Sequence, residues 1–168
     1  FPPVAGREND ETTTDMEQTP RANRIHIGIY GRCNSGKSSL INAITGQQTA
    51  VVSEVAGTTT DTVNKSMELP GVGAVTFIDT AGFDDTGELG AKRLEQTRKA
   101  ADRTDVAVIV HAGGEPGAER EWIGLFGERN IPVVLVLNKA DLLNDEAAAV
   151  SALRAETGIN PIAVSALT

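Results

Sequence analysis

From Arg24 onward, short aliphatic runs alternate with longer stretches in which apolar residues recur at helical spacing. The runs "IHIGIY", "AVTFID", "DVAVIVHA" and "PVVLVLN" are apolar with little polar alternation, the pattern of strands covered on both faces of a sheet. "NKSMEL" and "NPIAVSA" read as two further strands. Four helical segments lie among them. "KSSLINAIT" carries Leu40, Ile41 and Ile44 on one face, and in "GELGAKRLEQTRKAAD" the residues Leu89, Arg93 and Gln96 mark the spacing. "AEREWIGLFGERN" has Trp122, Leu125 and Phe126 on its apolar side, and "DEAAAVSALRAETG" is the last helix.

"NKSMEL" and "AVTFID" are joined only by the turn "PGVG", so they must pair antiparallel. Helices separate the other strands, which predicts parallel crossovers. The expected fold is therefore α/β: a mostly parallel six-stranded sheet with one antiparallel strand and helices on both faces. "QQTAVVSEVAGTTTDTV" reads as a long polar connection. The polar, acidic opening over residues 1–22 lacks periodicity and predicts a disordered leader or linker ahead of a domain over 23–168. After "VSALT" a covering helix would be expected, as in one domain of a longer chain.

Composition narrows the chemistry. Aromatic residues make up only 4% of the 168, so the core must be aliphatic. A formal charge of −8 disfavours non-specific nucleic-acid binding, which depends on Lys and Arg neutralising phosphates. It does not exclude a nucleotide, because backbone N–H groups can cradle phosphate in an acidic protein. Cys33 is the only cysteine, which rules out an internal disulfide and points to a reducing compartment. Together with His26 and His111 it offers too few ligands for an iron–sulfur cluster or a closed zinc site within one copy. The apolar runs are far shorter than the roughly 20 residues of a membrane-spanning helix, so no membrane partner is expected.

"GRCNSGKS" fits the phosphate-loop pattern Gly-x4-Gly-Lys-Ser between a strand and a helix. Gly31 and Gly36 permit the turns that aim successive N–H groups inward. The helix beginning near Lys37 adds a partial positive charge at its N-terminus. Lys37 is placed to reach the β and γ phosphates, and Ser38 to offer a hydroxyl to Mg²⁺. Asn34, Ser35 and Ser39 complete the nucleotide-facing positions of this stretch. "FIDTAG" ends a strand with Asp79, suited to Mg²⁺, and with Gly82, whose N–H can approach a γ-phosphate. In "GTTTD" a threonine hydroxyl can complete the Mg²⁺ shell.

"VLNKADLL" holds the base-reading candidates. The Asp141 carboxylate can accept from guanine N1–H and N2–H₂, whereas adenine would leave it unpaired. Asn138 would order the loop and reach base N7, and the Lys139 stem could cover the base face. In "AVSAL", Ser165, Ala166 and Leu167 form the last box, with the Ala166 N–H set against guanine O6.

In this order the boxes resemble the translation-factor-related GTPases, especially the branch of MnmE, Era and Der. Three longer stretches are similar to the HydF family of FeFe-hydrogenase maturation GTPases: "TPRANRIHIGIYGRCNSGKSSLINAITGQ", "VAGTTTDTVNKSMEL" and "IDTAGFDDTGELGAKRLEQTRK". The likeness runs from Thr19 onward. It implies GTP hydrolysis within a scaffold or carrier of a di-iron subcluster, with the radical-SAM proteins HydE and HydG and apo-hydrogenase as partners. Members of that family continue into a dimerisation domain and a cluster-binding domain with Cys and His ligands, so a dimer would form through one of those or through this domain. The compartment implied is the bacterial cytoplasm, or a plastid or other organelle stroma.

Residue by residue, the resemblance places Gly31, Gly36, Lys37 and Ser38 on the phosphate loop and Thr59 on the Mg²⁺-sensing threonine. Asp79 and Gly82 match the γ-phosphate box, and Asn138, Lys139 and Asp141 the base box. Asn34 falls where MnmE-like proteins have a potassium-ligating asparagine, implying K⁺ in place of an arginine finger. Phe83 stands where Ras-like proteins carry a water-orienting glutamine. Lys37, Thr59 and Gly82 are then the catalytic positions, Asp84, Asp85 and Glu88 are candidates for the water, and slow turnover is expected. Two alternatives stay open: an RNA- or ribosome-associated assembly or tRNA-modification GTPase, and a nucleotide-binding interaction domain without useful hydrolysis.

Overall fold

The structure, a computed structural model, describes residues 24–46, 53–55, 63–84 and 86–166. Among them the strands are β1 (Ile25–Gly31), β2 (Ser53–Val55), β3 (Val63–Leu69), β4 (Gly73–Asp79), β5 (Val106–His111), β6 (Val133–Leu137) and β7 (Ile162–Ala163). The helices are α1 (Lys37–Gly46), α2 (Gly87–Ala101), α3 (Gly117–Glu128) and α4 (Glu146–Thr157). The sheet order is β2-β3-β4-β1-β5-β6-β7. β3 pairs antiparallel with both β2 and β4, and every other pairing is parallel, so β3 alone among the described strands runs against the rest.

The six expected strands are present, and the one antiparallel strand is the one expected. A seventh, β2, lies within the stretch read as a polar connection. Three residues are too short to show a period, which is why the sequence pattern did not disclose it. β7 is only two residues long: Val164 still donates its N–H to Leu137 O, but its carbonyl accepts from Ala140 in the turn after β6 and not from a strand.

Alternation along the strands splits the core into two layers, one on each face of the sheet. Tyr30, Ile109, Leu135 and Leu137 pack with Trp122 and Phe126 of α3 and Leu153 of α4. Their immediate neighbours Ile29, Val110 and Val136 point the other way, onto Leu40 and Ile41 of α1. Helices thus cover both faces, as expected. Four aromatics gather on the first face, Phe77 lying on the other: Tyr30 stacks on Trp122 at 5.4 Å between centroids, and Phe83 stacks on the same indole at 5.7 Å.

Helix α2 departs from expectation. Its buried face is Gly90, Thr97, Ala100 and Ala101, with Leu94 against the core, while Leu89 and Arg93 are exposed. Small side chains and a threonine carry no hydrophobic signal to mark that face. The parallel strands β1, β4, β5 and β6 end at one edge, with Ile29 beside Asp79, Gly31 beside Val110 and His111 beside Leu137. In open α/β sheets ligands bind outside that carboxyl edge, where the winding reverses. Here β1 lies at the reversal, between β4 and β5.

Candidate functional site

The loop from Gly31 to Lys37 closes on itself where β1 leaves the sheet. Ser35 donates its N–H to Arg32 O, and Leu40 begins the α1 ladder by donating to Gly36 O at 2.8 Å. Two residues of the loop adopt positive φ, Asn34 at 59° and Gly36 at 94°. Asparagine tolerates that region. Gly36 has a second reason to lack a side chain, since a Cβ there would collide with the amide of Asn138. The buried Lys37 ammonium lies along the loop and donates to Gly31 O at 3.2 Å and Arg32 O at 2.7 Å. Burial pushes its pKa below the ordinary lysine value, against the opposing pull of Asp79.

Opposite Lys37, Ser38 Oγ donates to Asp79 Oδ2 at 2.6 Å, joining the first turn of α1 to the end of β4. The other carboxylate oxygen, Asp79 Oδ1, is buried and has no hydrogen-bond partner among the described residues. A buried carboxylate oxygen without a donor calls for a cation or water. A hydroxyl and a carboxylate converging on one point are the hard oxygen donors that Mg²⁺ takes, so this pair fits that ion.

The chain after Asp79 folds back onto the loop. Gly82 lies so close to Cys33 that a Cβ would strike its backbone and sulfur. Phe83 donates its N–H to Gly31 O at 3.2 Å and buries its ring against Trp122. Asp84 Oδ1 accepts the Cys33 N–H at 2.6 Å. Burial works to raise the Asp84 carboxyl pKa, but the Cys33 amide and the nearby Arg32 outweigh it and leave it below the ordinary value. Glu88 is exposed in the first turn of α2. The candidates Thr59, Asp85 and Leu167 lie outside the described residues.

At the end of β6, Asn138 is almost wholly buried and ties three loops together. Its N–H donates to His111 O at 2.8 Å, its Nδ2 donates to Ser35 O at 3.0 Å, and its Oδ1 accepts the Ala166 N–H at 3.1 Å. Lys139, at a left-handed φ of 58°, stretches its ammonium to Asn34 O at 2.7 Å. Asp141 stands at the surface and accepts the Ser165 hydroxyl at 2.6 Å. The phosphate-loop residues, Asp79, Gly82, Asn138, Lys139, Asp141, Ser165 and Ala166 therefore converge on the carboxyl edge of the sheet. Ser39 is half-buried in the first turn of α1.

The family model described as 50S ribosome-binding GTPase matches residues 26–139, from the start of β1 through the Asn138–Lys139 turn. The chain belongs to this GTPase family. It is 39% identical over 142 residues to the GTPase Der of Wolinella succinogenes, an alignment covering 82% of this chain and 30% of Der. It is 37% identical over 145 residues to the tRNA modification GTPase MnmE of Xanthomonas oryzae pv. oryzae, covering 86% of this chain and 30% of MnmE. Era from Aquifex aeolicus bound to GDP and AlF4⁻ superposes with a TM-score of 0.68 at 25% identity, covering 84% of this chain and 51% of that one. Era in complex with MgGDPNP and nucleotides 1506–1542 of 16S ribosomal RNA does so with a TM-score of 0.67, also at 25% identity, and with the same coverage. The chain thus spans under a third of the length of these curated relatives and about half of the Era chains. P-loop GTPase fold and GTP-hydrolysing family agree with the sequence expectation.

One network in this GTPase domain escaped the sequence reading. The Arg32 guanidinium donates to Glu115 O and reaches Glu119 Oε2 at 3.3 Å, while Glu119 Oε1 meets His111 Nδ1 at 2.9 Å. Glu119 is 1% exposed. Burial works to raise its pKa, and His111 and Arg32 bring it below the ordinary value instead. This chain of polar contacts clamps the phosphate loop to α3. Its members lie 8 and 87 residues apart, so no local pattern announces it.

Proposed function

We propose that this domain is a guanine-nucleotide switch within a longer protein, one that binds Mg²⁺ and GTP and hydrolyses GTP slowly to GDP and phosphate. The observation that carries the reading is Asn138, which joins the Ser35 end of the phosphate loop to the Ala166 turn beside Asp141. One buried side chain thereby couples the phosphate-holding and base-reading ends. On guanine, Asp141 would accept from the base and Lys139 would lie along it. Lys37 would leave its loop carbonyls for the β and γ phosphates, and the loop amides from Asn34 to Ser39 would receive phosphate oxygens. Mg²⁺, held by Ser38 and Asp79 and completed by Thr59, would neutralise charge growing on the β and γ oxygens.

Phe83 is buried in the aromatic cluster and has no group that orients water, which supports slow turnover. Asp84, Asp85 and Glu88 remain the candidates for that task, with Gly82 offering its N–H to the γ-phosphate. Asn34 at the rim of the loop supports K⁺ stimulation, since a neutral side-chain carbonyl suits that ion. The test is phosphate release from GTP and from ATP, each in KCl and in NaCl. Faster release from GTP in KCl is expected. Equal rates with ATP would overturn guanine specificity, and equal rates in the two salts would overturn the role of K⁺.

For what the switch controls, the Der, MnmE and Era relatives favour an RNA- or ribosome-associated assembly or tRNA-modification role. The second reading is hydrogenase maturation with HydE, HydG and apo-hydrogenase. It is supported by the HydF-like stretches, above all "TPRANRIHIGIYGRCNSGKSSLINAITGQ". A single cysteine fits a reducing compartment for either role, the bacterial cytoplasm or an organelle stroma. Deleting the gene and measuring ribosomal-subunit profiles, wobble-uridine modification and hydrogenase activity separates the two. Loss of hydrogenase activity with normal ribosomes and tRNA would select the second.

A further inference from the structure

The contact between Asp84 and the phosphate loop has a consequence for which nucleotide the loop prefers. The Cys33 N–H lies in the phosphate loop one residue before the amides assigned to phosphate above, and its backbone packs against Gly82, whose own N–H is suited to a γ-phosphate. Here the Asp84 carboxylate takes the Cys33 N–H, in a short charge-assisted bond of 2.6 Å. The Asp84 side chain is exposed, but the backbone that carries it is held against the loop. Phe83 is pinned by its bond to Gly31 O and by its ring on Trp122, and Gly82 is packed without a Cβ against Cys33. Asp84 also acts electrostatically on Lys37, the cation suited to the terminal phosphates. An acidic side chain thus shares both the loop amide and the lysine field with an incoming phosphate.

We propose that Asp84 is a specificity-determining residue: its carboxylate stands in for a terminal phosphate on the Cys33 amide and so favours the diphosphate over the triphosphate. This rests on the guanine-nucleotide reading above. A γ-phosphate must displace the carboxylate from the amide and then face it as a like charge, whereas a diphosphate, ending further back, leaves the clasp in place. Like charges brought together in a binding site carry a large penalty. Release of Asp84 is then a direct report that the third phosphate has arrived.

The test is binding of GDP and of a non-hydrolysable GTP analogue to the full-length protein in Mg²⁺, for the wild type, Asp84→Asn and Asp84→Ala. Asp84→Asn keeps an oxygen for the Cys33 N–H and removes only the charge. The expected result is analogue affinity raised about fivefold or more in both variants, with GDP affinity within about twofold of wild type. Unchanged or weaker analogue binding, or equal changes for both nucleotides, would overturn the proposal while leaving the guanine-nucleotide reading intact. A wild type that binds neither nucleotide would overturn both.

Discussion

At the scale of single residues, Gly36 and Asn138 have to be read together. The missing Cβ of one makes room for the amide of the other, and that amide is spent on Ser35 O and Ala166 N. Asn138→Ala would leave a buried carbonyl and a partly buried N–H without partners, each worth about 1–3 kcal/mol. Affinity for GDP and for GTP should fall together by about tenfold or more, because the phosphate loop and the base turn lose a shared anchor. A fall in one nucleotide's affinity only, measured by titration, would refute that coupling. Tyr30 gives the pH prediction. Thr104 spends its hydroxyl proton on Ala100 O, so the Tyr30 hydroxyl is the donor in its 2.6 Å bond to Thr104. Burial pushes its pKa up to about 12 from 10.0. A folded-state pKa above the unfolded one means stability that is complete below about pH 10 and is lost as pH rises toward 12. The loss should total roughly 3 kcal/mol. Tyr30→Phe should flatten that alkaline slope in denaturant melts taken across this window, even though it forfeits about 1 kcal/mol from the hydrogen bond.

Among elements, the segment after β4 decides how the proposed switch would be built. Phe83 occupies the position of a water-orienting glutamine in Ras-like proteins, yet its ring is a structural anchor on Trp122. Phe83→Gln should therefore not accelerate phosphate release. It should instead cost roughly 3 kcal/mol or more, by emptying the site and burying an amide. A faster variant of unchanged melting temperature would show that the position is catalytic after all. β1, β4, β5 and β6 were legible because strands covered on both faces need nearly unbroken aliphatic runs. The boxes at the carboxyl edge were legible from their order along the chain, since glycine, lysine and acidic residues in that succession and spacing have few other uses. The buried face of α2 was not, since Gly90, Thr97, Ala100 and Ala101 are small or polar and give no apolar stripe at helical spacing. The clasp of Asp84 on Cys33 and the Arg32–Glu119–His111 chain were hidden for another reason. Both join loops brought together only by the parallel winding of the sheet, and their residue types are ordinary surface polar residues when read locally.

For the molecule as a whole, the central tension is a chain of net charge −8 arranged to receive a polyanion. The sheet resolves it by geometry. Loop amides, the α1 N-terminus and Lys37 concentrate positive potential at one edge, and Ser38 and Asp79 suit a divalent cation that would arrive with the nucleotide. All of these groups are assembled only in the folded state, since Ser35 and Asn138 are 103 residues apart and Ser38 and Asp79 are 41. A ligand that binds the folded form alone must stabilise it by mass action. At GDP about 100 times its Kd in excess Mg²⁺, the gain should be about 2.7 kcal/mol. In a domain of this size that corresponds to a rise in melting temperature of roughly 5–10 °C. ATP at the same concentration should shift it by less than about 1 °C, because Asp141 would face an acceptor instead of donors. Asp141→Asn should remove the GDP shift while leaving the nucleotide-free melting temperature nearly unchanged, since that carboxylate is exposed and holds only the Ser165 hydroxyl. Equal stabilisation by ATP and GDP in a thermal melt would mean that the β6 turn holds the phosphate loop in shape without reading the base.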